Sequence, residues 1–281
     1  MDRETLRRVQ LTQLEILKKF KEICEKHDLR YILSSGTLLG AVRHKGFIPW
    51  DDDVDVDMPR ADYEKFLKIA PAELGEEYSL QTWHNDENYA LPFAKIRMNG
   101  TIYREGDIIK NGMEGIFIDI FPYEMLPQSK SKRKRLLFRL NRLRFFVNVK
   151  TGYSKMSRES FFRSFAKFIA KFCVLFVSKK NLVAKYEKTC EKCNKENGDT
   201  CFASGGSSSV GAWRIKKEFF EEIIMLPFED DKFACPRNYD LYLKTCYGDY
   251  MQLPPLEKRG DWHKIQEVRL KDSTEIRFFN K

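Results

Sequence analysis

The sequence predicts an α+β fold, and three observations carry the prediction. Helix-period and strand-period apolar patterns intermix up to about residue 125, and Gly and Pro interrupt them at short intervals. After Pro127 the pattern changes to long, strongly basic amphipathic stretches. Leu6, Val9, Ile16, Phe20 and Ile23 recur at helical spacing, so Leu6 to Ile23 reads as one amphipathic helix. Tyr31 to Leu33 reads as a short buried strand that ends at Ser34-Ser35-Gly36, and Thr37 to Val42 as a helical turn. Val54 to Met58 is a strand stopped by Pro59, and Ala61 to Ile69 a helix. Tyr78 to Thr82, Phe93 to Arg97 and Ile116 to Phe121 are further strand candidates. Lys132 to Val147, Phe161 to Phe176 and Leu182 to Lys195 read as helices, and the Ser204 to Ser209 stretch as a loop. This divides the chain into a core over 1–127, a basic helical insertion over 128–200, and a segment over 201–281 that completes the core and closes the active site.

The 281 residues are 42% hydrophobic and 32% charged, which suits a globular chain and excludes a disordered one. No stretch reaches the ~20 apolar residues of a membrane span, and the opening MDRETLRRVQ does not resemble a signal peptide. Seven scattered cysteines do not suggest a disulfide framework. A cytoplasmic protein is the expectation. The net charge of +9 is unevenly placed: acids crowd between Asp51 and Asp57, bases between Lys130 and Arg144. Such a basic excess suits nucleic acid, an anionic membrane or a phosphorylated ligand.

The acidic run is the most informative stretch. On a strand, Asp53, Asp55 and Asp57 share one face and Val54, Val56 and Met58 the other. Carboxylates two apart lie about 7 Å from each other and repel by about 2 kcal/mol at an effective dielectric of about 20. A cation offsets that cost, and oxygen ligands on a rigid edge suit Mg²⁺. A solvated acidic turn and a calcium site are the alternatives, although the glycine and terminal Glu of an EF-hand loop are missing. Upstream, Ser35-Gly36-Thr37 places small residues where backbone amides approach a phosphate, though alone it also reads as a plain turn. Asp119 stands in an otherwise uncharged apolar strand, where it is either paired, capping or metal-bound.

The run from Ser35 to Val56, SGTLLGAVRHKGFIPWDDDVDV, resembles the signature of the LicD family. Pro59 to Tyr63, Phe93 to Arg97, Asp119 to Pro122, Tyr247 to Met251 and Pro254-Pro255 are similar to further blocks of that family, so the likeness spans most of the chain and is weakest over 128–230. Asp57 departs from it, since a small or apolar residue is expected there. The resemblance implies a polymerase-β-type nucleotidyltransferase core, a mixed sheet flanked by helices. It also implies Mg²⁺ on Asp53 and Asp55, with Asp119 as third carboxylate and Mn²⁺ as a substitute. The implied activity is transfer of phosphocholine from CDP-choline to a glycan such as lipopolysaccharide or teichoic acid, with CMP leaving. Ribitol phosphate or glycerol phosphate from a CDP donor is the alternative. Nucleotidyl transfer to a small acceptor comes third, and a non-catalytic nucleic-acid-binding protein is the rival that leaves the aspartates unexplained.

Lys95 and Arg97 share a strand face and suit either donor phosphates or a solvated surface. Arg43, His44 and Lys45 form a second basic group, with Arg43 the favoured ligand. Arg259 and His263, in a rigid charged tail, are candidates to close over the site, and Trp50 suits either an acceptor or the core. The basic helices suit a peripheral contact with an anionic bilayer, where a lipid-linked glycan is a natural acceptor, or packing on the core. Cys190 and Cys193, with Cys201 following, suggest structural Zn²⁺ only weakly, because a fourth ligand is wanting.

Overall fold

A computed structural model describes residues 1–105, 112–153, 171–172, 174–196, 198–204, 209–260, 265–272 and 275–277. Helix α1 (Arg3–Lys26) starts where the Asp2 carboxylate accepts a hydrogen bond from the Thr5 amide at 2.9 Å. It buries Val9, Ile16, Leu17, Phe20 and Ile23. The helix outruns its apolar pattern at both ends, because a cap and a polar turn carry no periodic signal.

The main sheet runs β1 (Ile32–Leu33), β2 (Asp55–Pro59), β6 (Phe117–Met125), β4 (Ala94–Met98), β3 (Tyr78–Gln81). β1 and β2 are antiparallel and are joined through α2 (Ser35–Arg43), while β2 and β6 are parallel. Helix α3 (Arg60–Glu73) leaves β2 directly. Two further strands, β7 (Thr200–Ala203) and β8 (Arg214–Lys216), extend the sheet beside the second half of β6. A hairpin of β9 (Ile223–Phe228) and β10 (Asp231–Pro236) forms a separate two-stranded sheet packed against β1 and α2, and β5 (Ile102–Glu105) pairs with β11 (Ile265–Arg269), which pairs with β12 (Glu275–Arg277). The fold is α+β.

The central strand β6 continues four residues past the predicted stretch. Pro122 does not break it, because it sits where β6 changes partners. The ladder to β4 ends at Ile120 and the ladder to β7 begins at Tyr123, so no antiparallel donor is needed at 122.

Beyond the sheet, α4 (Lys130–Thr151) and α5 (Lys179–Cys193) pack their apolar stripes together. Leu140, Leu143, Val147, Leu182, Val183 and Tyr186 form a second core with Trp83 and Phe202. The basic faces stay outside, and Phe138 on α4 is 68% exposed. Most of the helix predicted over Phe161 to Phe176 lies outside the described residues. Helix α6 (Tyr239–Tyr247), which follows β10, buries Tyr242 and Leu243. No helix among the described residues is long and apolar enough to cross a membrane.

Candidate active site

The parallel pairing of β2 with β6 sets Asp55 opposite Asp119, and the antiparallel pairing of β6 with β4 sets Asp119 opposite Lys95. Three adjacent strands thus carry acid, acid and base in one row. The Lys95 ammonium lies 2.7 Å from Asp119 Oδ1 and 3.2 Å from the Phe117 ring centroid. A buried lysine with an anion and an aromatic face is compensated where it stands.

Just before β2, the chain carrying Asp51, Asp52 and Asp53 is held by its backbone carbonyls. Gln10 Nε2 donates to the Asp51 carbonyl and Gln13 Nε2 to the Asp52 carbonyl, each at 2.9 Å, and the Tyr103 hydroxyl also donates to the latter at 2.9 Å. Carboxylate oxygens of Asp51, Asp52 and Asp53 lie within 4.8 Å of one another. Burial pushes the Asp55 carboxyl well above the usual carboxylate range, and the charges of Asp53, Asp119, Asp57 and Asp51 push it further. An all-oxygen, like-charged set that raises the pKa of Asp55 fits a hard divalent cation. The fit includes Asp51 and Asp52 beside the pair that the sequence singles out.

Helix α2 supplies the other side. Its first residue, Ser35, has φ of +48°, a left-handed conformation uncommon outside glycine. Gly36 follows because a Cβ there would lie 2.5 Å from Asp51 Oδ2, so any side chain would displace that carboxylate from the helix N-terminus. The Thr37 hydroxyl accepts a hydrogen bond from the Asp55 amide at 2.9 Å and so pins the start of β2.

These elements line a cleft of about 930 Å³. Ser35, Gly36, Arg43, Asp51, Asp53, Asp55, Asp57 and Arg259 all line it. Arg43 Nη1 donates to the Tyr250 carbonyl at 2.7 Å, and Arg259 Nε to the Pro254 carbonyl at 2.7 Å, with the Arg259 guanidinium 4.9 Å from the Trp50 ring. Burial lowers the Arg43 pKa and the neighbouring Arg259 charge lowers it further, while Asp51 opposes both. Two guanidinium groups that repel each other across from carboxylates make a cleft of mixed sign, suited to an anionic ligand bound with a cation.

The structure does not bring every predicted residue to this cleft. Asp119 and Lys95 lie beside Asp55 but outside the cleft lining, and Thr37 is spent on the backbone. Arg97 is buried, with Nε donating to Gln81 Oε1 at 2.6 Å and Nη1 to the Gly115 carbonyl at 2.7 Å, so its charge serves the sheet. His44 Nε2 accepts from Arg43 Nε at 3.0 Å. His263 lies outside the described residues. Cys193 Sγ donates to the Cys190 carbonyl at 3.0 Å, and Cys201 packs on Met125. Among the described residues, the only group of three or more side chains placed to share a metal is Asp51 to Asp53.

Sequence reasoning missed the aromatic wall. Phe121, Tyr123, Trp213, Tyr247 and Tyr250 line the cleft together with Asp249 and Lys258. The Tyr247 to Met251 block marked part of this wall without giving it a role. Trp213 carried no local signal.

Fold and site together define an α+β protein with one acidic, guanidinium-faced ligand cleft at the edge of a mixed sheet. The family model described as LicD/FKTN/FKRP, nucleotidyltransferase domain, matches residues 28–145. The chain is 31% identical over 273 residues to the lipopolysaccharide cholinephosphotransferase LicD of Haemophilus influenzae, covering 95% of this chain and 99% of that one. It belongs to the LicD family. Shorter likenesses link it to uncharacterized proteins of Rickettsia typhi (43% over 61 residues, 22% of this chain and 20% of that one) and Rickettsia prowazekii (38% over 77 residues, 27% and 29%).

Proposed function

We propose that this chain is a Mg²⁺-dependent transferase that moves phosphocholine from CDP-choline to a cell-surface glycan and releases CMP. The observation that supports it best is the cleft itself, where the carboxylates of the β2 strand and the guanidinium groups of Arg43 and Arg259 share one cavity. A full-length relative named as a lipopolysaccharide cholinephosphotransferase supports the headgroup and the acceptor class.

In this reading Asp53 and Asp55 hold the metal, with Asp119 as the third carboxylate, kept beside Asp55 by Lys95. The bound ion supplies charge neutralisation on the phosphate oxygens. Arg43 and Arg259 bind the remaining phosphate charge, and the α2 N-terminus at Ser35 and Gly36 orients the diphosphate. An acceptor hydroxyl attacks the phosphorus that bears choline, and its proton passes to Asp119. The bond from that phosphorus to the bridging oxygen breaks, and CMP leaves with the electron pair. The exposed basic face of α4 suits a peripheral contact with the inner face of an anionic membrane, where a lipid-linked acceptor resides.

The breadth of the family model, which spans fukutin-type relatives, supports a second reading with ribitol phosphate or glycerol phosphate as the transferred group. CMP release from CDP-choline, CDP-ribitol and CDP-glycerol distinguishes the donors. Release from CDP-choline that needs Mg²⁺ and is lost by about 10³-fold or more in Asp53→Ala/Asp55→Ala is the expected result. Metal-independent release, or none from any CDP-alcohol, would overturn the proposal and favour a binding protein.

A further inference from the structure

Asp57 has no part in the chemistry above, yet it lines the same cleft while only 2% exposed; the Ser34 and Tyr123 hydroxyls lie beside its carboxylate, and its Oδ2 is left without a hydrogen-bond partner. It lies two residues beyond Asp55 on the same face of β2, a step of about 7 Å. Its register neighbour on β6 is Phe121, and Tyr123 follows on that face; both are buried and line the cleft. From the C-terminal half of the chain, Trp213 and Tyr247 close the opposite wall, with ring centroids 5.9 Å apart in an edge-on arrangement. A carboxylate at the floor of an aromatic wall is a costly place for an anion unless a cation fills it.

We propose that Asp57, Tyr123, Trp213 and Tyr247 form the headgroup subsite of the cleft, a carboxylate-floored aromatic cage for a quaternary ammonium group. The inference rests on the phosphocholine reading and deepens it. Aromatic faces attract a diffuse cation that makes no hydrogen bonds, and a desolvated carboxylate supplies its counter-charge. A hydrated metal ion does not suit the aromatic faces. The separation of Asp57 from Asp55 along β2 matches the reach of choline's two-carbon chain, which sets the nitrogen one short span from the reacting phosphorus.

The test compares wild type, Asp57→Asn and Trp213→Leu. Binding of choline and of its uncharged carbon isostere 3,3-dimethylbutanol is measured by calorimetry, together with KM for CDP-choline and inhibition by CMP. The expected result is a wild type that prefers choline over the isostere. Asp57→Asn should lose that preference and raise KM for CDP-choline about 10- to 100-fold, with a smaller change in CMP inhibition. Unchanged choline binding and KM in Asp57→Asn would overturn the subsite while leaving the transferase reading intact. CMP binding weakened as much as CDP-choline binding would assign the aromatic wall to the cytosine ring, and would also overturn it. Choline binding that depends on Asp57, with no turnover of CDP-choline, would uphold the subsite and remove the transferase reading instead. Should Asp57→Asn fail to fold, Trp213→Leu carries the same comparison on the aromatic wall alone.

Discussion

At the residue scale, the acidic cleft makes its own pH dependence. Burial and neighbouring carboxylates raise the Asp55 pKa above its unfolded value. A carboxyl raised in this way favours the fold while it is protonated and loses that contribution as pH rises through its folded pKa. Without a divalent cation, the protein should therefore become more stable on mild acidification. Mg²⁺ should reverse the trend near pH 7.5, adding about 2.7 kcal/mol at about 100 times its Kd. Thermal melts with and without Mg²⁺ at pH 5.5 and 7.5 check this: the Mg²⁺ shift should shrink at the lower pH. Asp55→Asn should abolish it and raise the melting temperature of the metal-free protein. A second prediction concerns Gln13, buried on α1, whose Nε2 donates to the Asp52 carbonyl at 2.9 Å and the Phe117 carbonyl at 3.3 Å. Gln13→Ala removes one donor from each carbonyl and leaves that of Asp52 to Tyr103 alone, which costs about 1–3 kcal/mol. Chemical denaturation should show that loss, and Mg²⁺ affinity should fall although no metal ligand is changed. Ser35, Gly36, Asp53 and Asp55 were legible because small residues and alternating acids are local signals. Gln13 was not, because its partners lie 39 and 104 residues away.

At the scale of elements, the strands of the acidic region were readable from period and composition, but the true extent of β6 was not. Glu124 lies beyond the predicted stretch, yet it is fully buried and ion-paired with Arg60 at the start of α3. It accepts from Asn194 Nδ2 at 2.6 Å and from the Ser204 hydroxyl at 2.9 Å. One carboxylate therefore ties together β6, α3, the end of α5 and the chain after β7. Burial pushes its pKa up, but the Arg60 charge and the three hydrogen bonds outweigh this and hold it below the usual value. A depressed carboxyl contributes stability above its unfolded pKa and loses it as pH falls through the folded one. Removing one member of such a pair leaves the other buried and unpaired, at a cost of about 3–5 kcal/mol. Glu124→Gln should lower stability by that amount at pH 7, measured by urea unfolding. The loss should narrow as pH falls below the ordinary carboxylate range and through the depressed folded pKa, where the wild-type carboxylate becomes protonated. A constant gap across pH would assign the role of Glu124 to shape and not to charge.

At the scale of the whole molecule, the chain places two cores side by side, one around the main sheet and one between α4 and α5. The second core explains why both readings of the basic stretches remained open in the sequence. A helix that packs on a neighbour and one that lies on a bilayer need the same stripe, and only three-dimensional exposure separates them. In α4, Leu140, Leu143 and Val147 are buried, so the stripe is used within the protein. What remains outside is a different surface: Phe138 at 68%, Leu175 at 62% and Phe176 at 93% exposed. Arg135, Arg139 and Arg142 lie beside Phe138 in the groove between the two helices. Each basic side chain near an anionic surface contributes about 1 kcal/mol, and inserted rings add apolar area. The protein should therefore sediment with vesicles containing phosphatidylglycerol but not with pure phosphatidylcholine, and binding should weaken as salt rises. Phe138→Asp should reduce vesicle binding while leaving CMP release with a water-soluble acceptor unchanged, because Phe138 is exposed and does not line the cleft. Equal partition into both vesicle types, or salt-insensitive binding, would remove the electrostatic contact and leave α4 as a packing helix with a solvated basic face.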